Sequence, residues 1–124
     1  MPGDPRVPLG REGETRAAAY LHARGYRILA RNERCDGVEI DLIAARGRTL
    51  AFVEVKTRRS RTAGAPEDAV DARKRARLVR GASAWLHAHR PRATRVRFDV
   101  IACEVDREEQ WSIRHWPGAF DAGE

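Results

Sequence analysis

Two apolar runs lie close together in this chain: Val38-Glu39-Ile40-Asp41-Leu42-Ile43 and, after a short polar connection, Leu50-Ala51-Phe52-Val53-Glu54-Val55-Lys56-Thr57. Both runs have the length and apolar character of strands, and the Gly-containing connection between them predicts an antiparallel hairpin. Three carboxylates and one lysine interrupt the two strands. Because charge is costly to bury, we interpret these charged residues as a functional site.

Side-chain alternation predicts where the charged groups of the hairpin lie. Glu39 and Asp41 share one face of the first strand, and Glu54 and Lys56 share one face of the second. If the turn is centred on Arg46-Gly47, Glu39 lies opposite Glu54 and Asp41 lies diagonal to Glu54. All four groups then fall on one face within side-chain reach, whereas a loop one residue different would separate them.

Carboxylates that face each other repel, and a hard divalent cation relieves that repulsion. Mg²⁺ or Mn²⁺ typically takes one or two carboxylates, together with waters and phosphate oxygens of a substrate. Such an ion makes a bound water a better nucleophile, and Lys56 beside it would orient or activate that water or neutralise developing charge. The alternative interpretation is a solvated hairpin face on which Lys56 bridges Glu54 and Asp41.

The composition indicates one small basic domain. The chain has 124 residues, and 24 basic against 18 acidic side chains give a formal net charge of +6. This balance favours an anionic partner, nucleic acid before a membrane surface. Two of the basic residues are lysines, Lys56 and Lys74, and the rest are arginines. Either a compact ammonium is specifically needed at these two positions or the distribution is chance.

Targeting signals and cysteine spacing bear on the location of the protein and on zinc binding. No stretch has the long uncharged apolar run of a membrane span, and residues 1–8 lack the apolar core of a signal peptide. We therefore expect a cytoplasmic protein without a membrane partner. Cys35 and Cys103 have no CxxC spacing or histidine partner nearby, which argues against zinc.

The order of patterns predicts a single α/β domain over residues 11–120, preceded by a flexible segment over 1–10 and followed by a tail over 121–124. It reads helix, three strands, helix, and one or two strands, forming a mixed central sheet flanked by helices. The predicted helices cover residues 11–22 and 67–89, and the predicted strands cover 26–30, 38–43, 50–57, 95–102 and 111–115. Residues 32–37 and 58–66 are expected to form loops, and the chain after residue 115 is expected to leave the sheet.

Five motifs, spread over most of residues 11–120, carry a family resemblance. They are Gly13-Glu14, Tyr26-Arg27-Ile28-Leu29-Ala30-Arg31-Asn32, Glu39-Ile40-Asp41-Leu42-Ile43, Phe52-Val53-Glu54-Val55-Lys56-Thr57-Arg58 and Arg97-Phe98-Asp99-Val100. In this pattern the chain resembles the PD-(D/E)XK nuclease superfamily. More closely, it resembles the YraN-type family of small bacterial proteins, itself similar to archaeal Holliday-junction resolvases. The resemblance implies a restriction-endonuclease-like core.

The resemblance also implies roles for individual residues. Asp41 and Glu54 would be metal ligands together with the backbone carbonyl of Val55, and Lys56 would be the catalytic lysine. Glu14 on the first helix would complete the acidic cluster or help a second metal. Taken alone, the position of Glu14 in the first turns of its helix favours a simple interaction with the helix dipole.

Glu39 matches the glutamate of a Gly-Glu-Ile-Asp string in the family, which implies a supporting role. The order in this chain is Gly37-Val38-Glu39, so the glycine stands one residue earlier than in the family pattern. Asp41 keeps its spacing to Glu54 and Lys56.

Basic side chains around the hairpin are candidate substrate contacts. Arg58, Arg59 and Arg61 directly follow the second strand and are placed to hold a nucleic-acid backbone. Lys74 lies on the inward side of the second predicted helix, where it would reach a phosphate near the site or extend its ammonium to solvent. Asp99 is expected to make a structural salt bridge.

These observations lead to a functional hypothesis and to alternatives. The hypothesis is a Mg²⁺- or Mn²⁺-dependent endonuclease that hydrolyses phosphodiester bonds in DNA or RNA, with DNA, including branched DNA, favoured. The main alternative is a nucleic-acid-binding protein that keeps the nuclease fold without catalytic activity. A basic protein-interaction module is a weaker alternative, because aromatic residues are sparse. A homodimer would suit a junction-type substrate with two strands to cut.

Overall fold

A computed structural model of the protein describes residues 8–59 and 71–122. The described chain contains two helices and five strands, in the order predicted from the sequence. They are α1 (Leu9–Ala23), β1 (Arg27–Cys35), β2 (Val38–Arg46), β3 (Thr49–Arg59), α2 (Ala72–His89), β4 (Arg95–Val105) and β5 (Trp111–Phe120). The prediction of a mixed α/β architecture is therefore confirmed.

The five strands form one mixed sheet in the order β1-β2-β3-β4-β5. β1, β2 and β3 form an antiparallel meander, β3 and β4 run parallel, and β5 returns antiparallel to β4. The parallel step requires a crossover connection, and α2 lies in the sequence between β3 and β4. The central position of β3 explains its nearly continuous apolar run, since residues 50–55 are all buried.

The two helices cover opposite faces of the sheet and define two apolar clusters. Under α1, Leu21 belongs to the cluster that contains Val53. Under α2, Trp85 packs edge-to-face against Phe52, with ring centroids 5.8 Å apart. Adjacent residues of a strand point to opposite sides, so these contacts place the helices on opposite faces. Neither helix of the described chain is long and apolar enough to cross a membrane.

The hairpin between β2 and β3 differs in register from the prediction. Its two-residue turn is Gly47-Arg48, so the prediction of a turn centred on Arg46-Gly47, with Glu39 opposite Glu54, is wrong. Gly47 has a φ of +59°, and a glycine in the first turn position accepts this left-handed conformation without strain. The change moves the pairing by two residues, which keeps the predicted alternation of faces as far as Leu42, where the ladder ends. Beyond it Ile40 and Leu42 pack on opposite faces, so the prediction that Glu39 shares one face with Glu54 is wrong.

Several element boundaries also differ from the prediction, and β2, β3 and β4 each extend past their predicted ends, to Arg46, Arg59 and Val105. β1 continues through the expected loop at residues 32–35, because it is an edge strand whose polar side chains face solvent without interrupting its pairing with β2. β5 continues to Phe120, because a bulge at Gly118, with a φ of +63°, restores its pairing with β4. α1 begins at Leu9, inside the segment expected to be flexible. Residues 1–7, 60–70 and 123–124, which include Arg61 and the start of the second predicted helix, lie outside the described residues.

α1 approaches β3 very closely at Gly13. A β-carbon on this residue would overlap the side chain of Thr57, and Sγ of Cys103 donates a hydrogen bond of 3.4 Å to the Gly13 carbonyl. The missing side chain at residue 13 therefore lets the helix lie against the end of β3. The same contact fixes the position of the next residue, Glu14.

Replacing Gly13 with alanine is expected to destabilise the protein, because the added methyl group overlaps Thr57. We expect a loss of about 1–3 kcal/mol in the free energy of unfolding, measured by urea denaturation. Gly10→Ala is the matched control in the same helix, since nothing lies within 4 Å of a β-carbon at residue 10. Alanine has the higher helix propensity, so this control should be neutral or stabilising by up to about 1 kcal/mol. Equal effects of the two substitutions would contradict the close approach of α1.

Candidate active site

β2 turns over at Asp41, between residues that pack on opposite faces of the sheet. Ile40 belongs to the cluster under α2 and Leu42 to the cluster under α1, although residues two apart on a regular strand share a face. Across from Asp41 on β1, Asn32 has a φ of +51°, a left-handed conformation that interrupts the regular pleat. The ladder between β2 and β3 reaches Leu42, opposite Val53, so Asp41 stands where the two strands separate.

The carboxyl group of Asp41 is coupled to several other carboxylates. Its Oδ2 accepts a hydrogen bond of 2.8 Å from the backbone N–H of Val55. Burial, followed by the charge of Glu54, raises the pKa of Asp41 to about 7 against the opposing effect of that hydrogen bond. Glu14 and Glu39 raise the pKa by smaller amounts. Three other carboxylates, from α1, β2 and β3, therefore act on Asp41 at this point of the sheet.

Glu54 is the buried member of this group, with 7% of its surface exposed. Its Oε2 lies 3.0 Å from Nζ of Lys74, which reaches it from α2, and 3.8 Å from Nζ of Lys56, two residues further along β3. A buried carboxylate needs such partners, since an unpaired charge in the interior is costly. The pairing of Lys56 with Glu54 is part of the alternative interpretation, in which Lys56 bridges two carboxylates of a solvated hairpin face. Lys74 makes the shorter contact with Glu54.

Lys56 and Lys74 both approach Glu54, so each influences the proton affinity of the other. Burial and the neighbouring Lys74 lower the pKa of Lys56. Burial acts in the same direction on Lys74, but its interactions with Lys56 and with the Glu54 carboxylate outweigh that effect and raise its pKa. Of the two side chains, Lys74 therefore holds its proton more strongly than Lys56.

One of the two carboxylate oxygens of Glu14 is buried. Among the described residues, Oε1 of Glu14 is one of two buried side-chain atoms that have no hydrogen-bond partner. A buried oxygen in this condition is costly, and a cation or a water bound to it would supply the partner. Glu39 lies exposed, so its charge is largely solvated.

The available donors fit a hard divalent cation that takes few protein ligands. Within residues 8–59 and 71–122, no three His, Cys, Asp or Glu side chains are grouped so that they could hold a metal ion. Asp41 and Glu54 offer oxygens, and the Val55 carbonyl points to the same side of β3 as the N–H that Asp41 accepts. Two carboxylates, one carbonyl and several waters form a set that Mg²⁺ accepts, because this ion gives up its waters reluctantly.

The arginines that follow the hairpin are paired with glutamates. Arg58 and Arg59 belong to β3 rather than to the expected loop. Nε of Arg58 lies 2.7 Å from Oε2 of Glu104, and Nη1 of Arg59 lies 3.1 Å from Oε1 of Glu109. Lys74, another of the predicted nucleic-acid contacts, pairs instead with Glu54 of the candidate site.

A second polar network lies between β4 and β5. Asp99 is fully buried and accepts hydrogen bonds of 2.8 Å from Nε and Nη2 of Arg97, which confirms the expected structural salt bridge. Nε2 of His115 lies 2.8 Å from Oδ2 of Asp99, and the Gly118 N–H donates to Oδ1 at 3.0 Å. Burial alone would raise the pKa of Asp99, but the bonds from His115 and Arg97 outweigh it and hold the pKa below its usual value.

Sequence reasoning missed two residues that shape these sites. Asn32 has a signal in the sequence, since asparagine is enriched in the left-handed conformation that it adopts across from Asp41. His115 has none, because its partner Asp99 lies on another strand and only the register of β4 and β5 brings them together.

The fold and the site define an α/β protein in which carboxylates and lysines meet where two central strands separate. The chain belongs to the family described as Uncharacterised protein family UPF0102, whose model matches residues 13–103. The matched span contains Glu14, both strands of the hairpin and Lys74.

Curated relatives match this chain over most of their length. A UPF0102 protein of Anaeromyxobacter dehalogenans is 44% identical over 119 residues, which cover 96% of this chain and 88% of the relative. A UPF0102 protein of Moorella thermoacetica is 48% identical over 101 residues, covering 82% and 84%. A UPF0102 protein of Parafrankia sp. is 50% identical over 114 residues, covering 90% and 95%.

The raised pKa of Asp41 predicts a pH-dependent cost to stability in metal-free protein. The folded state binds this proton more tightly than the unfolded state, so the stability contributed by Asp41 falls as the pH rises from about 4 to about 7. Asp41→Asn removes the charge and keeps an oxygen for the Val55 N–H. We expect this variant to raise the Tm by about 3 °C or more near pH 8, measured by thermal unfolding in EDTA. The gain should disappear near pH 4.

Asp36→Asn is the control for that measurement. Asp36 is an exposed turn residue whose φ of +52° suits asparagine, so the same chemical change there should give no pH-dependent gain. A gain for Asp41→Asn that is equal at both pH values would contradict the raised pKa.

Proposed function

We propose that the protein is a divalent-metal-dependent phosphodiesterase that acts on nucleic acid and has a restriction-endonuclease-like core. The observation that carries the proposal is the convergence of Asp41, Glu54 and Lys56 at the point where β2 separates from β3. The element order supports it, because the aspartate lies on the second strand and the Glu-x-Lys tripeptide on the third, as in the PD-(D/E)XK pattern that the sequence resembles. Crowded carboxylates lower stability, so a role in binding explains them better than a role in folding.

Asp41, Glu54 and the Val55 carbonyl would hold Mg²⁺ or Mn²⁺. Bound there, the ion would polarise a phosphoryl oxygen and lower the pKa of a water molecule. Glu14 would supply its buried oxygen to a water of the ion or to a second ion. Glu39, which is exposed at the edge of the cluster, would add negative potential without direct contact.

Lys56 would serve the attacking water or the phosphate. It lies on the same strand as Glu54, and β3 is paired on both sides by β2 and β4, so the relative positions of the two side chains are well defined. From there Lys56 would orient the water, accept its proton or neutralise the charge that develops on the phosphate.

Nucleic acid is the substrate class that the charge of the chain favours. The net charge of +6 attracts a polyanion, and Arg73 and Arg77 are exposed on the same helix as Lys74. The resemblance to junction resolvases favours DNA over RNA and makes branched DNA the first substrate to test. A homodimer would present two such sites to a junction.

DNA cleavage assays test the proposal most simply. Purified protein is incubated with branched and single-stranded DNA in Mg²⁺, Mn²⁺ or EDTA, and products are separated on denaturing gels. We expect metal-dependent cleavage, and we expect Asp41→Asn and Lys56→Met each to lower the rate by about 100-fold or more. Asp36→Asn should retain the wild-type rate, because Asp36 lies in the exposed β1–β2 turn.

Two outcomes would contradict the proposal. The first is no cleavage under any metal condition, and the second is cleavage that Asp41→Asn leaves unchanged. Binding that weakens steeply with salt but is not followed by cleavage would favour the nucleic-acid-binding protein without catalytic activity.

A further inference from the structure

The fold brings the two lysines of this chain together at one carboxylate. Lys56 and Lys74 are the only lysines among 124 residues, and the other positions among the 24 basic ones are all arginine. Their Nζ atoms lie 3.8 and 3.0 Å from the same atom, Oε2 of Glu54. A chain that otherwise uses arginine thus has both of its ammonium groups at the buried carboxylate of the candidate metal site.

Lys74 stands at a position that a helix does not favour for a cation. It lies in the first turn of α2, where a positive charge opposes the helix dipole and where none of the residues of the turn is acidic. The side chain of the N-cap residue Asp71 accepts a hydrogen bond of 3.0 Å from the Lys74 N–H. This cap fixes the backbone of Lys74, while its four-carbon stem leaves the ammonium able to move. The contact with Glu54 therefore explains the lysine better than helix stability does.

The ammonium of Lys74 occupies one oxygen of a carboxylate that would bind the metal ion. A divalent cation held by Asp41 and Glu54 would repel an ammonium that remains at hydrogen-bond distance from Glu54. Metal binding therefore favours the withdrawal of Lys74 from Oε2. The side chain of Lys74 is 35% exposed, so the withdrawn ammonium has access to solvent and to a bound substrate.

We propose that Lys74 is a positioning residue that exchanges with the metal ion. It holds Glu54 in the metal-free protein, leaves when the ion binds, and then presents its ammonium to a phosphate oxygen of the substrate. This inference rests on the proposed metal-dependent function. Lysine suits the exchange because its compact ammonium makes single hydrogen bonds that break easily. The planar guanidinium of an arginine would instead form two parallel hydrogen bonds to the carboxylate.

Titration with Mn²⁺ in the absence of nucleic acid tests the exchange. Lys74→Met removes the competing cation, so we expect it to bind Mn²⁺ about fivefold or more tightly than the wild type, measured by isothermal titration calorimetry. Arg77→Met is the matched control, because it removes one positive charge from an exposed position of the same helix. Its affinity should change by less than about twofold. Lys74→Arg keeps the charge and should bind Mn²⁺ no more tightly than the wild type, which retains a test if Lys74→Met does not fold.

Nuclear magnetic resonance follows the movement of Lys74 directly. Protein labelled with ¹³C at the lysine ε-carbons gives two side-chain resonances, and the Lys74→Met variant identifies the one that belongs to Lys74. Saturating Mg²⁺ should move this resonance towards the position of a free lysine. A Lys74 resonance that stays in place at saturating Mg²⁺ would overturn the inference.

The remaining outcomes separate this inference from the proposed function. If neither the wild type nor Lys74→Met binds Mn²⁺, both the function and the inference fail. If the two bind Mn²⁺ with equal affinity while the wild type cleaves DNA, the inference alone fails. The expected result is tighter Mn²⁺ binding by Lys74→Met together with a higher KM for DNA, because the lysine no longer reaches the phosphate.

Discussion

Repulsion among carboxylates, at the point where β2 separates from β3, is the constraint on which the rest of the structure depends. Asp41 and Glu54 lie in partly or fully buried positions, and each needs a partner from another part of the fold. The Val55 N–H serves Asp41, and Lys74 serves Glu54. The helices therefore do more than cover the sheet, because α1 brings Glu14 to the cluster and α2 brings the ammonium that makes burial of Glu54 tolerable.

A local break in strand geometry explains how groups from both faces of the sheet meet. Residues before Asp41 pack under α2 and the residue after it packs under α1, so the strand turns over at this aspartate. A regular strand would confine Asp41 to one face, with access to one helix only. The turn-over lets Glu14, on the α1 side, and Glu54, contacted from α2, act on the same carboxyl group.

The sequence predicts the element order and the charged hairpin because strand periodicity, apolar runs and turn residues are local properties. It misplaces the turn at Gly47-Arg48 by one residue, since several polar residues there are compatible with a turn and only the paired strands select one. The pairing of Arg58 with Glu104 cannot be predicted from the sequence, because it depends on the register of two strands that are distant in the chain. The scarcity of lysine is visible in the sequence, but only the structure places Lys74 beside Glu54 and so relates the two lysines to one carboxylate.

Binding of a divalent cation between Asp41 and Glu54 is the central claim, and anomalous diffraction from crystals grown with Mn²⁺ tests it most directly. We expect an anomalous peak about 2.0–2.2 Å from carboxylate oxygens of both residues, the distance at which such ions bind oxygen ligands. The same experiment on Asp41→Asn should show a weak peak or none. A wild-type map with no peak at these carboxylates at saturating Mn²⁺ would contradict the assignment of this cluster as a metal site.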